Sequence, residues 1–247
     1  MKIFSTPQIK AWDAYTIEHE PVSSAALMER AARACVNWIL RHFDKSRSLK
    51  IFCGTGNNGG DGLAITRILI ENGYDASAFI VASKKAGSPD FEINLERLYK
   101  ISNEIYLIEE EEIFPALSND IVIDALFGTG LNKKITGRYA RLIKHINNLS
   151  ETVISIDVPS GLFVDESSKI VNLRPDGLHL TGKSSTQSGP DDQAGFGPII
   201  KATYTLTFQN QKLAFLMPEN GPYTGKVILL DIQLSKEYEE KETVRFE

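Results

Sequence analysis

Between residues 49 and 231 the chain alternates short apolar runs with stretches of helical spacing. The runs at 50–53, 76–82, 105–108, 120–125 and 152–158 read as strands, and the spacing at 61–72, 90–99 and 139–148 reads as helices. The 121–123 and 153–156 runs are almost wholly apolar, as strands buried on both faces are. Such strands, each followed by a helix, form a parallel sheet covered on both sides. Further strands are expected at 202–208, 214–216 and 227–231. Ahead of the sheet, Ile9, Trp12 and Tyr15, then Leu27, Met28, Ala31, Cys35 and Ile39, mark two helices within 6–43. Pro21 and Ser23 separate them, with Ser24 as the N-cap of the second. The pattern predicts a Rossmann-like three-layer α/β/α sandwich with a mostly parallel central sheet. Residues 1–235 are expected to form the domain, and the charge-rich 236–247 a tail, a linker or a C-terminal helix.

The first strand runs into Gly54, Thr55, Gly56, Asn57, Asn58, Gly59, Gly60, Asp61 and Gly62. A segment this rich in glycine and amides makes a turn whose backbone approaches a ligand. Gly54, Gly56 and Gly59 satisfy the G-x-G-x-x-G dinucleotide fingerprint, placed after a strand and before a helix. A plain pyrophosphate loop has no use for the Asp61 carboxylate, so something besides phosphate is handled there. Two more strands also end in carboxylates. Asp124 precedes the turn Gly128-Thr129-Gly130, and Asp157 precedes Pro159-Ser160-Gly161. In an open parallel sheet ligands bind beyond the carboxyl ends of the strands, so Asp61, Asp124 and Asp157 are expected to converge on one crevice. Each also has a structural alternative: Asp61 suits a helix N-terminus, Asp124 a loop-backbone acceptor and Asp157 a turn. Converging carboxylates repel, which calls for a cation or a raised pKa. Asn58, Ser160 and loop carbonyls add neutral oxygens, a set suited to a large monovalent cation rather than Mg²⁺.

Composition narrows the function classes. A formal charge of -5 leaves no basic excess for general nucleic-acid binding. Two cysteines, Cys35 and Cys53, are too few for a disulfide framework. The four histidines lack metal-ligand spacing. No signal-like apolar segment follows Met1 and no run reaches membrane-spanning length, so the chain reads as cytoplasmic. Residues 169–198 are rich in Gly, Ser, Pro and Asp and read as a long loop or insertion. Within it, Gly177 to Ser184 fits the P-loop pattern, but Gly189-Pro190 follows where the required helix should run, so that reading is rejected.

The chain resembles the NAD(P)H-hydrate epimerase family, which repairs damaged nicotinamide cofactors. The resemblance runs through 16–21, 27–32, the 54–62 turn, 124–130, 156–161 and 202–208 up to Lys212. Gln233 departs from it, standing where the family commonly places Gly, and 169–198 looks longer than the family's turn. The resemblance implies interconversion of the R and S forms of hydrated NADH or NADPH at C6 of the nicotinamide ring. It implies a K⁺ ion on Asn58, Asp124 and Ser160. Substrate would be held by Asn57, Asn58, Gly59, Gly60, Asp61, Gly128, Thr129, Gly130, Leu131, Asn132, Lys133 and Lys134, with Asp157 at the reacting ring as the acid/base group. It also implies a homodimer and a fused or separate ADP/ATP-dependent dehydratase. Lys133 and Lys134, and Ser83, Lys84 and Lys85, are candidate phosphate partners. The latter replace the acidic residue an NAD dehydrogenase would carry after its second strand, which weakens a dehydrogenase reading. The other alternative is a non-catalytic nucleotide-binding or dimerisation module of the same fold. The intact set Asn58, Asp61, Asp124, Asp157 and Ser160 favours the enzyme.

Overall fold

The computed structural model describes residues 2–83, 85–109, 114–165 and 197–243. Lys84, the 177–184 pattern and the 169–196 part of the long loop lie outside the described residues. Seven strands, β1 (Leu49–Cys53), β2 (Ala76–Val81), β3 (Ile105–Ile108), β4 (Ile121–Ala125), β5 (Thr152–Ile156), β6 (Tyr204–Phe208) and β7 (Lys226–Leu230), form one sheet. Its order is β3-β2-β1-β4-β5-β6-β7, and every pairing is parallel. The strand order reverses between β1 and β4, which places a crevice at their carboxyl ends.

Side chains alternate between the two faces as the strand period requires. Ile51, Ile123, Ile154 and Leu206 pack beneath α2 (Ser24–His42), α3 (Asn57–Glu71) and α4 (Pro89–Tyr99). Phe52, Val122 and Val153 face the other way, onto Leu142, Ile143 and Ile146 of α5 (Gly137–Leu149). The three layers expected from the sequence are therefore present.

A third apolar cluster holds α1 (Thr6–His19) against the body through Phe4, Trp12, Leu27, Ala31, Ile232 and Leu234. The C-terminal residues clamp this helix. Trp12 Nε1 donates to the Ser235 carbonyl at 2.7 Å, and Ser235 N–H donates to Thr16 Oγ1 at 3.0 Å. Helices α6 (Gly221–Thr224) and α7 (Lys236–Lys241) complete the order. Tyr238 of α7 stacks on Trp12 with ring centroids 6.1 Å apart, so this charge-rich segment is a docked helix as far as it is described.

Three departures from the sequence expectation have identifiable causes. The run at 214–216 is part of a 3₁₀ turn, Leu213–Leu216, rather than a strand. A parallel β6–β7 pair needs a crossover, and this turn, Pro218–Asn220 and α6 provide it. Helix α3 begins at Asn57, four residues before its apolar periodicity does, because Gly59 and Gly60 take the close-packed positions of its first turn. A Cβ on Gly59 would lie 1.8 Å from the Gly54 carbonyl oxygen, and one on Gly60 2.9 Å from Met28 Sδ. The N-cap of α2 is Ser23, which accepts from Ala26 N–H, not Ser24. Ser24 Oγ instead donates to Asp90.

Gln233 adopts φ 58°, the left-handed region that costs a non-glycine residue conformational energy. Its N–H donates to Asp231 Oδ1 at 2.7 Å and its carbonyl accepts from Arg30 at 2.8 Å, which hold the turn in place. Gln233→Gly is expected to stabilise the protein by about 0.5–1 kcal/mol, read as a higher urea midpoint at unchanged slope.

Candidate active site

A cleft of about 810 Å³ opens over the carboxyl ends of β1, β4, β5 and β6. One rim is the start of α3. Gly56 caps that helix without a side-chain hydrogen bond, which leaves first-turn N–H groups available to an anion. Thr55, Gly56, Asn57, Asn58 and Asp61 line this side. The facing rim is the turn Gly128, Thr129, Gly130, Leu131, Asn132 and Lys133.

Asp157 connects the two rims to the floor. It follows β5 directly and adopts φ 67°, a strained conformation for a non-glycine residue that aspartate tolerates better than most. Its Oδ2 accepts from Thr129 N–H at 2.8 Å, and its Oδ1 lies 3.6 Å from Lys212 Nζ. Gly128 is required for that approach, since a Cβ there would sit 2.7 Å from Asp157 Oδ2. Lys212 is 1% exposed, and its ammonium also donates to the Phe208 carbonyl at 2.8 Å. Burial lowers its pKa, while Asp157 and Asp13 act to raise it.

Asp13, on α1, completes the cluster. Burial and then the Asp157 charge raise its carboxyl from 3.8 to about 6, against the pull of Lys212. Asp61 is also pushed well above the ordinary carboxylate range, first by burial and then by Asp157, Asp13 and Asp90. Asp13, Asp61, Asp90 and Asp157 thus line one cleft, with the buried Lys212 ammonium closest to Asp157.

A second layer lies below. Asp124 is fully buried, and burial raises its pKa against four hydrogen bonds. Ser160 Oγ donates to its Oδ1 at 2.6 Å and Leu126 N–H to the same oxygen at 3.3 Å. Ser155 Oγ and Ser160 N–H donate to Oδ2 at 2.8 and 2.9 Å. All four donors are neutral. Beside the Gly128 turn, both polar atoms of the Asn58 amide are buried without a partner among the described residues, and its Oδ1 would lie 3.3 Å from a Cβ on Gly128.

Most of the residues expected from the sequence therefore meet here, in two tiers. Asn57, Asn58, Asp61, the 128–133 turn and Asp157 line the cleft. Asp124 and Ser160 lie beneath it, Gly59 and Gly60 pack the base of α3, and neither Lys134 nor Lys85 is in its lining. Asp13, Asn210 and Lys212 had not been expected in the site. Asp13 occupies a visible position, since Ile9, Asp13 and Ile17 form an i, i+4, i+8 row and a carboxylate in an apolar row signals a site. Asn210, with a buried unpartnered Nδ2, follows β6 in a stretch with no comparable pattern. Cys35 and Cys53 are free, and burial pushes both thiols up, away from nucleophilic use.

A parallel sheet with a glycine-rich strand–helix turn and a carboxyl–ammonium cluster at its switch point is the architecture of a Rossmann-like α/β protein. Residues 24–214 match the family described as YjeF-related protein N-terminus, and the chain belongs to that family. It is 33% identical over 219 residues to a bifunctional NAD(P)H-hydrate repair enzyme, Nnr, of Moorella thermoacetica, covering 85% of this chain and 36% of that protein. It is 31% identical over 226 residues to an NAD(P)H-hydrate epimerase of Limosilactobacillus fermentum, covering 91% of this chain and 93% of that one. The crystal structure of yeast ynu0 (YNL200c) shares the fold, with a TM-score of 0.69 at 18% identity over 98% of this chain and 93% of that one.

The raised Asp13 carboxyl has a consequence for stability. A carboxyl whose folded pKa exceeds its unfolded value gives up its proton first in the unfolded chain, so stability falls as pH rises between the two. For Asp13 that window runs from 3.8 to about 6. Asp13→Asn is expected to melt higher than the wild type at about pH 7.5, with the difference closing near pH 4, as read by thermal unfolding at both values.

Proposed function

We propose that this cleft epimerises hydrated NADH and NADPH at C6 of the nicotinamide ring, with Asp157 as the acid/base group at the reacting carbon. The protein is accordingly an isomerase of nicotinamide-cofactor repair. The carrying observation is Asp157 itself, held in a left-handed conformation between the Thr129 amide and the Lys212 ammonium at the cleft floor. Carbon C6 of the substrate bears the hydroxyl and is bonded to the ring nitrogen. A proton delivered to that oxygen lets the nitrogen lone pair expel it as water, and return of water to the other face gives the second epimer. The Thr129 N–H and the nearby ammonium fix the carboxylate's orientation and hold its charge. Open N–H groups at the start of α3 suit the pyrophosphate, and Lys133 suits a phosphate oxygen. Asn57, Asn58, Asp61 and the 128–134 turn hold the substrate in this reading, while Gly59 and Gly60 let α3 start close enough to do so.

Asn58, Asp124 and Ser160 fit a K⁺ ion. The unpartnered Asn58 amide offers a neutral oxygen, and the buried Asp124 carboxylate has only neutral donors around it. Bound there, K⁺ would balance the Asp124 charge and brace the base of both rims. The reading also includes a homodimer, a cytoplasmic location and cooperation with an ADP/ATP-dependent dehydratase. Two buried, unpaired cysteines agree with a reducing compartment, and the bifunctional relatives agree with a second repair activity on the same substrate class. No helix among the described residues is long and apolar enough to cross a membrane. A purely binding module would have no use for the strained Asp157 or the crowding of carboxyls on Lys212.

Proton NMR of R-enriched hydrated NADPH tests the assignment. The wild-type protein is expected to equilibrate the C6 epimers, and Asp157→Asn to slow this by about 100-fold or more while keeping substrate affinity. Activity retained in the variant sinks the role of Asp157. Calorimetry tests the ion: replacing K⁺ by tetramethylammonium should weaken substrate binding by about tenfold, and Asn58→Leu should remove the dependence. Equal affinity in both salts would count against the K⁺ site.

A further inference from the structure

We infer that Asp13 is a second catalytic residue, and that Asp13 and Asp157 serve opposite faces of the reacting ring. The inference rests on the epimerase reading. Inversion at C6 requires water to leave one face and arrive at the other. A single carboxyl fixed at one side of a bound ring reaches only one of those faces. Asp157 is fixed in that sense, by its backbone conformation, by the Thr129 N–H and by Lys212. A second proton-transferring group is therefore needed from a different wall of the cleft.

Asp13 comes from such a wall. It lines the cleft from α1, whereas Asp157 projects from the end of β5 with its Oδ1 3.6 Å from Lys212 Nζ. The other charged residues lining the cleft are Lys10, Asp61, Asp90 and Lys133. Helix α1 is not a loose flap, because Trp12 and Thr16, on either side of Asp13, are tied to Ser235 and buried. A carboxyl on that helix is held with the precision that proton transfer demands.

The steps balance. With Asp13 protonated and Asp157 ionised, the Asp13 proton moves to the C6 hydroxyl oxygen and the C6–O bond breaks. The ring-nitrogen lone pair becomes the N1=C6 π bond, and water departs on the Asp13 face. A water on the Asp157 face then bonds to C6, the π pair returns to nitrogen, and the surplus proton goes to Asp157. The opposite epimer runs the same steps backward, which restores the proton to Asp13. Exchange with solvent does the same.

Oxygen-18-labelled water and the full-length protein test this. The wild type is expected to place one labelled oxygen in each first-formed epimer. Asp13→Asn is expected to lose about 100-fold or more in epimerisation with substrate affinity retained. In that variant the remaining carboxyl should still exchange the hydroxyl of one epimer with labelled water, without inversion. Asp157→Asn should exchange only the other epimer. A merely structural role for Asp13 predicts no such split. The inference is overturned if Asp13→Asn epimerises at the wild-type rate, if it exchanges both epimers alike, or if the first-formed epimer keeps its original oxygen. The last result needs no variant, since opening of the C6–N1 bond would produce it. A folded wild type that fails to equilibrate the epimers overturns the epimerase reading, and this inference with it.

Discussion

A single buried ammonium, that of Lys212, faces more carboxylate charge than it can neutralise. Asp157 takes the close contact at 3.6 Å, while burial first, and neighbouring carboxyls after it, raise the proton affinity of Asp13 and Asp61. The imbalance is costly for folding, because charge is gathered where water is scarce. It is also what proton-transfer chemistry near neutral pH requires, namely carboxyls that hold and release protons close to the working pH.

The sheet explains how so much charge is brought together. All strands run parallel, so their carboxyl ends share one edge, and the order reverses between β1 and β4. The start of α3, the turn after β4, Asp157 after β5 and Lys212 beyond β6 therefore open on the same crevice. Register adds the lower tier. Asp124 pairs with Phe52 on one side and Ser155 on the other, which places the Ser155 hydroxyl against the Asp124 carboxylate. Fully hydrogen-bonded by neutral donors, Asp124 braces the turn that presents Thr129 to Asp157 through Ser160, whose Oγ accepts from Phe127 N–H at 2.9 Å.

Much of this was legible in the sequence because it follows from local pattern. Apolar runs separated by helical spacing defined the three layers, and carboxylates at strand ends marked the crevice. What stayed hidden depends on distance along the chain. The run at 214–216 looked like a strand because three apolar residues carry no period, and only the β6–β7 crossover makes it a 3₁₀ turn. The early start of α3 was masked by glycines, which read as a turn until their contacts with Gly54 and Met28 are known. Gln233 stood out as a departure from the family's glycine, and its φ of 58° supplies the reason glycine suits that position. Asp13 was marked only by its place in the apolar row of Ile9 and Ile17, and that row does not say which strand ends, formed far downstream, the helix will face.

The wall that carries Asp13 and the segment that pins it are far apart along the chain. Trp12 and Thr16 are bonded to Ser235, Tyr238 stacks on Trp12, and Ile232 and Leu234 fill the space between α1 and α2. Residues 6–19 and 232–238 thus build one wall of the cleft jointly. A dinucleotide site needs a switch point, a glycine turn and a helix N-terminus. Under the proposed reaction, inversion at a ring carbon needs in addition a fixed group on the opposite side, and helix α1, clamped through Ser235, supplies one without altering the sheet. The binding motifs are compact because each lies at one strand end, whereas the wall with Asp13 depends on a contact between residues 219 positions apart.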